Sequence, residues 1–251
     1  MAAIQPHPPL LQGSFGFLLR RIDAFIFPPL CIVCDEPRLF PSRWLCPACF
    51  ESFTAETAHR NACVRCGIDR TVRMCACDVV WDRPFDRIIS FVNYSDMVQS
   101  LMHQIKYQGK KHLARYLGAL CAAELKKAAP CGFDCAVPIP LHWVRRKKRG
   151  YNQAEWFARG LFGQLSGTSV ECTVLRRIRS TKTQTQLDKS ERLGNVAGAF
   201  ALARDGAAIV AGKRVALIDD VITTGATATS AAQALLAGGC AQVTVISLAR
   251  D

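Results

Sequence analysis

Hydrophobic periodicity divides the chain into three textures. After a proline-rich start over residues 1–13, the apolar positions Phe15, Leu18, Leu19, Ile22 and Ile26 recur at helical spacing until Pro28-Pro29 ends the pattern. Residues 31–77 hold few apolar runs and many turn formers. Residues 85–94 then alternate like a strand, Ser95 is placed to cap a helix running to Tyr107, and a second helix is predicted over 111–127. Beyond it, short apolar strands at 134–139, 170–175, 214–218 and 242–248 alternate with helical segments at 152–165 and 224–237. Such alternation predicts an α/β fold, a parallel sheet flanked by helices. The expected organisation is a tail with an amphipathic helix over 1–30, a cysteine-rich module over 31–80 and the α/β domain over 85–251.

Half of the 251 residues are apolar, enough for a sizeable core. No apolar run is long enough to cross a bilayer: the best candidate, Phe15 to Leu30, is interrupted by Arg20, Arg21 and Asp23, and no cleavage-site pattern follows it. The thirteen cysteines are an odd number without an export signal, which argues against a disulfide framework and for a reducing, cytoplasmic setting. Five of them (Cys121, Cys131, Cys135, Cys172 and Cys240) are scattered in apolar surroundings and read as core fillers.

The other eight form close pairs: Cys31 with Cys34, Cys46 with Cys49, Cys63 with Cys66, and Cys75 with Cys77. A Cys-x-x-Cys turn can aim both sulfurs at one ion, and two such turns complete a tetrahedral Zn²⁺ site. The first four match the zinc-ribbon spacing; in the second four the last pair has a single spacer. Sequential pairing is preferred, with an interleaved arrangement open. No thioredoxin-like strand and helix surround any pair, so redox chemistry is disfavoured. Two structural zinc ions are expected, since four thiolates leave no open coordination position.

The net charge of +12 is concentrated, with twelve Lys/Arg against four Asp/Glu over residues 139–195. Such a stripe attracts nucleic acid, a membrane surface or a diphosphate ligand alike.

More specific is the run Val215 to Ile218, wholly apolar as in a strand buried on both faces, which leads into Asp219-Asp220. Val221-Ile222-Thr223-Thr224-Gly225-Ala226-Thr227 then opens an alanine-rich helix. Small residues let a loop close around phosphate, with main-chain amides, threonine hydroxyls and a helix N-terminus as donors. The two carboxylates can accept from ribose hydroxyls, directly or through Mg²⁺. An ATPase reading fails: the nearest candidate for a G-x-x-x-x-G-K-[ST] loop, Gly206 to Arg214, has one residue too many before Gly212-Lys213 and Arg where Ser or Thr is needed.

Residues 215–227 resemble the phosphoribosyl-diphosphate (PRPP) motif of the type I phosphoribosyltransferases: four hydrophobics, two acids, two hydrophobics, then Thr-Thr-Gly-x-Thr. Further stretches narrow the resemblance. These are Val137-Pro138-Ile139-Pro140-Leu141-His142, Arg145 to Gly150 with Tyr151-Asn152-Gln153, and Arg177, Thr181, Gln184, Leu187, Arg192 and Asn195 before Gly198-Ala199-Phe200. With the cysteine pairs and Lys106-Tyr107, they resemble the ComF competence family from about residue 15 onward.

The resemblance implies a type I phosphoribosyltransferase fold with an N-terminal double zinc ribbon, in a bacterial protein of DNA uptake or DNA use. It implies PRPP binding with Mg²⁺ at Asp219, Asp220, Thr223, Thr224, Gly225, Ala226 and Thr227, the acid pair being the catalytic candidates. The loop after residue 139 lies where pyrophosphate sits, and Arg145 and Arg149 can pair with its oxygens bidentately. The segment 177–195 corresponds to a mobile loop closing over the substrate. No segment reads as a base-recognition hood; the helical region 95–127 is the candidate for that place. Three functions follow: phosphoribosyl transfer with pyrophosphate release to an unidentified acceptor, a non-catalytic PRPP sensor, and a zinc-ribbon adaptor gripping nucleic acid. The partners implied are PRPP and, through the basic stripe, single-stranded DNA or the DNA-uptake machinery.

Overall fold

A computed structural model describes residues 29–38, 44–59, 61–75, 77, 82–165, 167–179 and 198–251. The expected helix over 15–26 and the candidates Thr181, Gln184, Leu187, Arg192 and Asn195 lie outside these residues. The chain forms two compact units, Met1–Phe50 and Glu51–Asp251, and the division falls within helix α1, Pro47–His59.

The second unit is built on a five-stranded sheet, β1 (Arg87–Asn93), β2 (Cys135–Pro138), β3 (Ser169–Val170), β6 (Arg214–Ile222) and β7 (Gln242–Arg250), in the order β1-β7-β6-β2-β3. Every pairing is parallel, as the sequence predicts for strands separated by helices. Helices α2 (Asp96–Tyr107) and α3 (Lys111–Ala128) carry the chain from β1 to β2; α4 (Trp143–Arg149) and α5 (Gln153–Phe162) carry it to β3. A ribbon of β4 (Leu175–Arg177) and β5 (Phe200–Leu202) and a short helix α6 (Gly206–Val210) precede β6, and α7 (Ala226–Ala237) connects β6 to β7.

Both faces of the sheet are covered, which is why β6 and β7 read as continuous apolar runs. Val137, Val215, Leu217, Val243 and Val245 join Ala228, Ala231 and Leu235 of α7 in one core cluster. On the other face Phe91 of β1 meets Phe157 of α5 edge-on, with ring centroids 6.3 Å apart. Helices α3 and α5 cross through glycines: a Cβ on Gly160 would lie 1.9 Å from the Arg115 carbonyl oxygen, and one on Gly118 would lie 2.3 Å from that of Phe157. Only glycine allows main chains this close.

Three elements depart from the sequence expectation. The apolar run 170–175 is two strands: β3 pairs with β2, and a turn then releases the chain to β4, which pairs antiparallel with β5. β6 extends four residues beyond Ile218, because β7 keeps pairing as far as Ile222 with Arg250, so the acid pair lies within the strand. The basic segment is a short helix, α4, ended by Gly150 in the left-handed region at φ 80°. Among the five scattered cysteines, Cys121, Cys135 and Cys240 are buried as expected, whereas Cys131 is exposed and Cys172 half-buried.

Candidate functional site

From β2 the chain moves outward to β3, whereas from β6 it moves the opposite way to β7. The β2–β6 boundary is therefore a topological switch point, where crevices open at the carboxyl ends of strands. β2 ends at Pro138 opposite Ile218, and after Ile139 donates to the Ile218 carbonyl at 2.8 Å no strand among the described residues lies beside that edge of β6. The acid pair comes next. The cleft there, of about 900 Å³, is lined by Asp219, Asp220 and residues 223–227. Arg145, Lys148 and Arg149 of α4, Arg177 of β4, and Gln99, Lys106 and Tyr107 of α2 line the same space.

Asp220 is held on two sides. Lys106 Nζ lies 2.8 Å from its Oδ2, and Gln153 Nε2 donates to the same oxygen at 3.3 Å. Arg149 donates to Gln153 Oε1, which ties the basic helix to the acid pair. α5 starts beside this network because Asn152 caps it, accepting from Ala154 N–H at 3.2 Å, while its amide donates to the Ile139 carbonyl at 2.9 Å. Tyr151 donates to the Ile105 carbonyl and so ties α2 to the same corner.

The two carboxyls differ electrostatically. Burial pushes Asp219 well above the ordinary carboxylate range, and the neighbouring Asp220 charge adds to the effect. Burial also opposes ionisation of Asp220, but the adjacent Lys106 ammonium, the hydrogen bond with Asp219 and the Arg149 charge together outweigh it and hold Asp220 below the usual range. Lys106 is likewise raised: burial opposes its charge, and Asp220 with Asp219 together more than compensate.

After β6 the loop turns into α7 through Gly225, in the left-handed region at φ 79°. Its carbonyls are gripped from behind. Arg83 Nη2 donates to Thr224 O at 3.1 Å, and Arg250 Nη1 donates to Ile222 O at 2.8 Å and to Thr223 O.

Each cysteine quartet is built on a knuckle. Cys31 donates its amide to Glu36 O at 2.7 Å, and Cys63 donates to Ile68 O at 2.8 Å. The residue after the second cysteine is left-handed in both, Asp35 at φ 58° and Gly67 at φ 69°. Cys31, Cys34, Cys46 and Cys49 converge in the first unit and Cys63, Cys66, Cys75 and Cys77 in the second, the sulfurs of each quartet all within 4.8 Å of one another. The pairing is therefore sequential. Zn–S bonds of about 2.3 Å in a tetrahedron need sulfurs about 3.8 Å apart. Cys34 Sγ lies 3.6 Å from both Cys46 Sγ and Cys49 Sγ, so this donor set fits zinc. Burial opposes ionisation of Cys31 and Cys63, yet main-chain amides (that of Cys46 foremost for Cys31, that of Cys66 for Cys63) and partner thiols of each quartet lower them to about 7 and about 6.

The chain is 31% identical over 231 residues to the DNA utilization protein YhgH of Salmonella typhimurium, covering 89% of this chain and 97% of that one. It is 26% identical over 226 residues to competence protein F of Haemophilus influenzae, covering 88% and 96%. The chain belongs to the ComF competence family. No family model matches it. Among solved structures, the glutamine PRPP amidotransferase from B. subtilis complexed with ADP and GMP is similar at 20% identity, with a TM-score of 0.34, over 58% of this chain and 30% of that one. The parallel sheet flanked by helices is the architecture that the ComF resemblance implies.

Of the residues singled out in this ComF-family sequence, the cleft brings together Asp219, Asp220, the loop 223–227, Arg145, Arg149 and Arg177. Gln153, Lys148, Arg83 and Arg250 were not singled out as site residues. Arg250 carried one signal, a charge closing an otherwise buried apolar strand. Among the described residues, no helix is long and apolar enough to cross a membrane.

Proposed function

We propose that the cleft binds PRPP together with Mg²⁺, and that the chain is a phosphoribosyltransferase-type protein of DNA uptake or DNA utilisation. One observation carries this reading: an acid pair, a Thr-Thr-Gly loop at a helix N-terminus and the cations Arg145, Lys148, Arg149 and Arg177 all face one cleft. The names of the relatives, a DNA utilization protein and a competence protein, support the biological setting.

Each group has a role in this reading. Amides and hydroxyls of Thr223 to Thr227 take the 5′-phosphate, with the α7 dipole favouring the anion. Asp219 and Asp220 accept from ribose hydroxyls, and Lys106 keeps Asp220 ionised. Arg145, Lys148 and Arg149 face the diphosphate, which leaves the anomeric carbon as pyrophosphate when an acceptor bonds there. Asp219 and Asp220 would hold Mg²⁺, which would supply charge neutralisation to the leaving diphosphate. Arg177 opens the segment 177–195, read as the loop that covers the ligand and excludes water. The acceptor lies on the α2 side, where Gln99 and Tyr107 line the cleft. Both quartets are structural zinc sites, since four thiolates leave no position for substrate.

A second reading has its own observation. Trp143, 68% exposed, begins the basic helix α4, and Tyr107, 66% exposed, packs on Arg149 with the guanidinium 6.0 Å from its ring centroid. Exposed aromatic faces beside Arg146, Lys147 and Lys148 suit single-stranded DNA, whose bases stack while its phosphates pair. Calorimetric titration of PRPP with and without Mg²⁺ tests the first reading: saturable binding that depends on Mg²⁺ is expected. Absence of PRPP binding alongside tight, salt-sensitive DNA binding would leave the second.

A further inference from the structure

The two guanidiniums behind the phosphate loop both lead back to the second cysteine quartet. Arg250 Nε donates to the carbonyl of Cys66 at 3.1 Å, while Nη1 of the same side chain donates to Ile222 O and Thr223 O. Arg83, which also donates to Thr229 Oγ1 at 3.1 Å, follows Cys77 by six residues. The quartet is itself fastened to the sheet: Ile88 N–H donates to Arg65 O at 2.6 Å, Arg65 Nη1 donates to Cys77 O at 2.7 Å, and a Cβ on Gly67 would lie 3.0 Å from Ile88 O.

A trans peptide points its N–H opposite its C=O. With the Thr223 and Thr224 carbonyls turned onto Arg250 and Arg83, the N–H groups of Thr224 and Gly225 face away from both guanidiniums. An anion received there meets two amides in front and two positive charges behind, the arrangement that stabilises phosphate most where water is partly excluded. Arginine suits this task and lysine does not, because only a planar fork reaches the Cys66 carbonyl and the loop carbonyls at once.

We propose that the second cysteine site is a working part of the anion site. Arg250 and Arg83 are positioning residues that orient the loop amides, and the metal-loaded quartet, by fixing the Cys66 carbonyl, fixes Arg250. The ligand's phosphate and the metal then need share no atom to depend on each other. This rests on the PRPP reading of the cleft.

The test is a double-mutant cycle on the full chain, with PRPP affinity by calorimetry, zinc content by metal analysis and amide hydrogen exchange with and without saturating PRPP. Arg250→Met is expected to keep wild-type zinc, to bind PRPP about 10- to 100-fold more weakly, and to gain less exchange protection at 224 and 225 when saturated with PRPP. Arg250→Lys should recover only part of the loss. Cys75→Ser should lose one zinc and weaken PRPP by a similar factor, and the double variant should be no weaker than the weaker single. Factors that multiply in the double variant, or unchanged affinity in Arg250→Met, would overturn the coupling while leaving the PRPP site intact. If Cys75→Ser does not fold, exchange decides alone: a zinc-loaded Arg250→Met whose 224 and 225 amides gain wild-type protection on saturation with PRPP overturns the proposal. Wild-type protein that binds no PRPP would instead remove the reading of the cleft.

Discussion

Lys106 Nζ lies 2.8 Å from Asp220 Oδ2, so a cation from helix α2 neutralises a carboxylate within a strand formed far later in the chain. The Lys106 side chain is 26% exposed and that of Asp220 11%, a pair sheltered enough for its loss to matter.

Lys106→Met should destabilise the protein by about 1–3 kcal/mol at pH 8, leaving a sheltered carboxylate unpaired. The sign of the pH dependence follows from Asp220, which is held below its ordinary range. Its stabilising contribution is full above the unfolded carboxylate pKa of about 3.9 and is lost as pH falls through the lower folded value. The gap between wild type and Lys106→Met should therefore close on acidification. Urea melts at pH 8 and about pH 2.5 measure it, and an equal gap at both would show that Lys106 acts by packing alone.

Gly160→Ala should cost about 3 kcal/mol, at the upper end of overpacking, because the new methyl meets the Arg115 main chain. Thermal unfolding should fall by roughly 10 °C. A drop within 2 °C (~0.5–1 kcal/mol) would mean that α3 and α5 separate easily.

The sheet was legible because covered parallel strands write themselves as short apolar runs between helical patterns, and the acid pair and loop because small residues after such a run are unusual. What stayed hidden depends on contacts between distant segments. Nothing near Lys106 announces Asp220, and nothing near Arg250 announces the Cys66 carbonyl. The extension of β6 past Ile218 was invisible for the same reason: it comes from pairing with β7, whereas two aspartates look like a strand's end. The run 170–175 misled because its apolar residues serve two different sheets.

Purified protein should contain two zinc ions per chain, and Cys31→Ser and Cys63→Ser should each retain one. The quartets close separately, with sulfurs within 4.8 Å inside each group. Metal analysis of both variants checks this; complete zinc loss from either single variant would indicate one shared site.

Arg145→Ala and Arg149→Ala should each weaken PRPP by about one to two decades, the worth of a charge-assisted hydrogen bond at roughly 1.5–3 kcal/mol. Ribose 5-phosphate, lacking the diphosphate, should be affected much less. Arg149→Ala should be the more damaging, since it also frees Gln153, which supports Asp220. Unaltered PRPP affinity with a large loss of single-stranded DNA binding and a shallower salt slope would favour the nucleic-acid reading of α4.

The most direct measurement is calorimetry of PRPP in Mg²⁺ with wild type and with Asp219→Asn/Asp220→Asn. Both side chains line the cleft, and replacing them with amides keeps their size while removing the negative charge that Mg²⁺ and the ribose hydroxyls would meet. The account predicts saturable, Mg²⁺-dependent binding by the wild type, lost in a folded double variant. Equal PRPP affinity in the two proteins would contradict the assignment of this cleft.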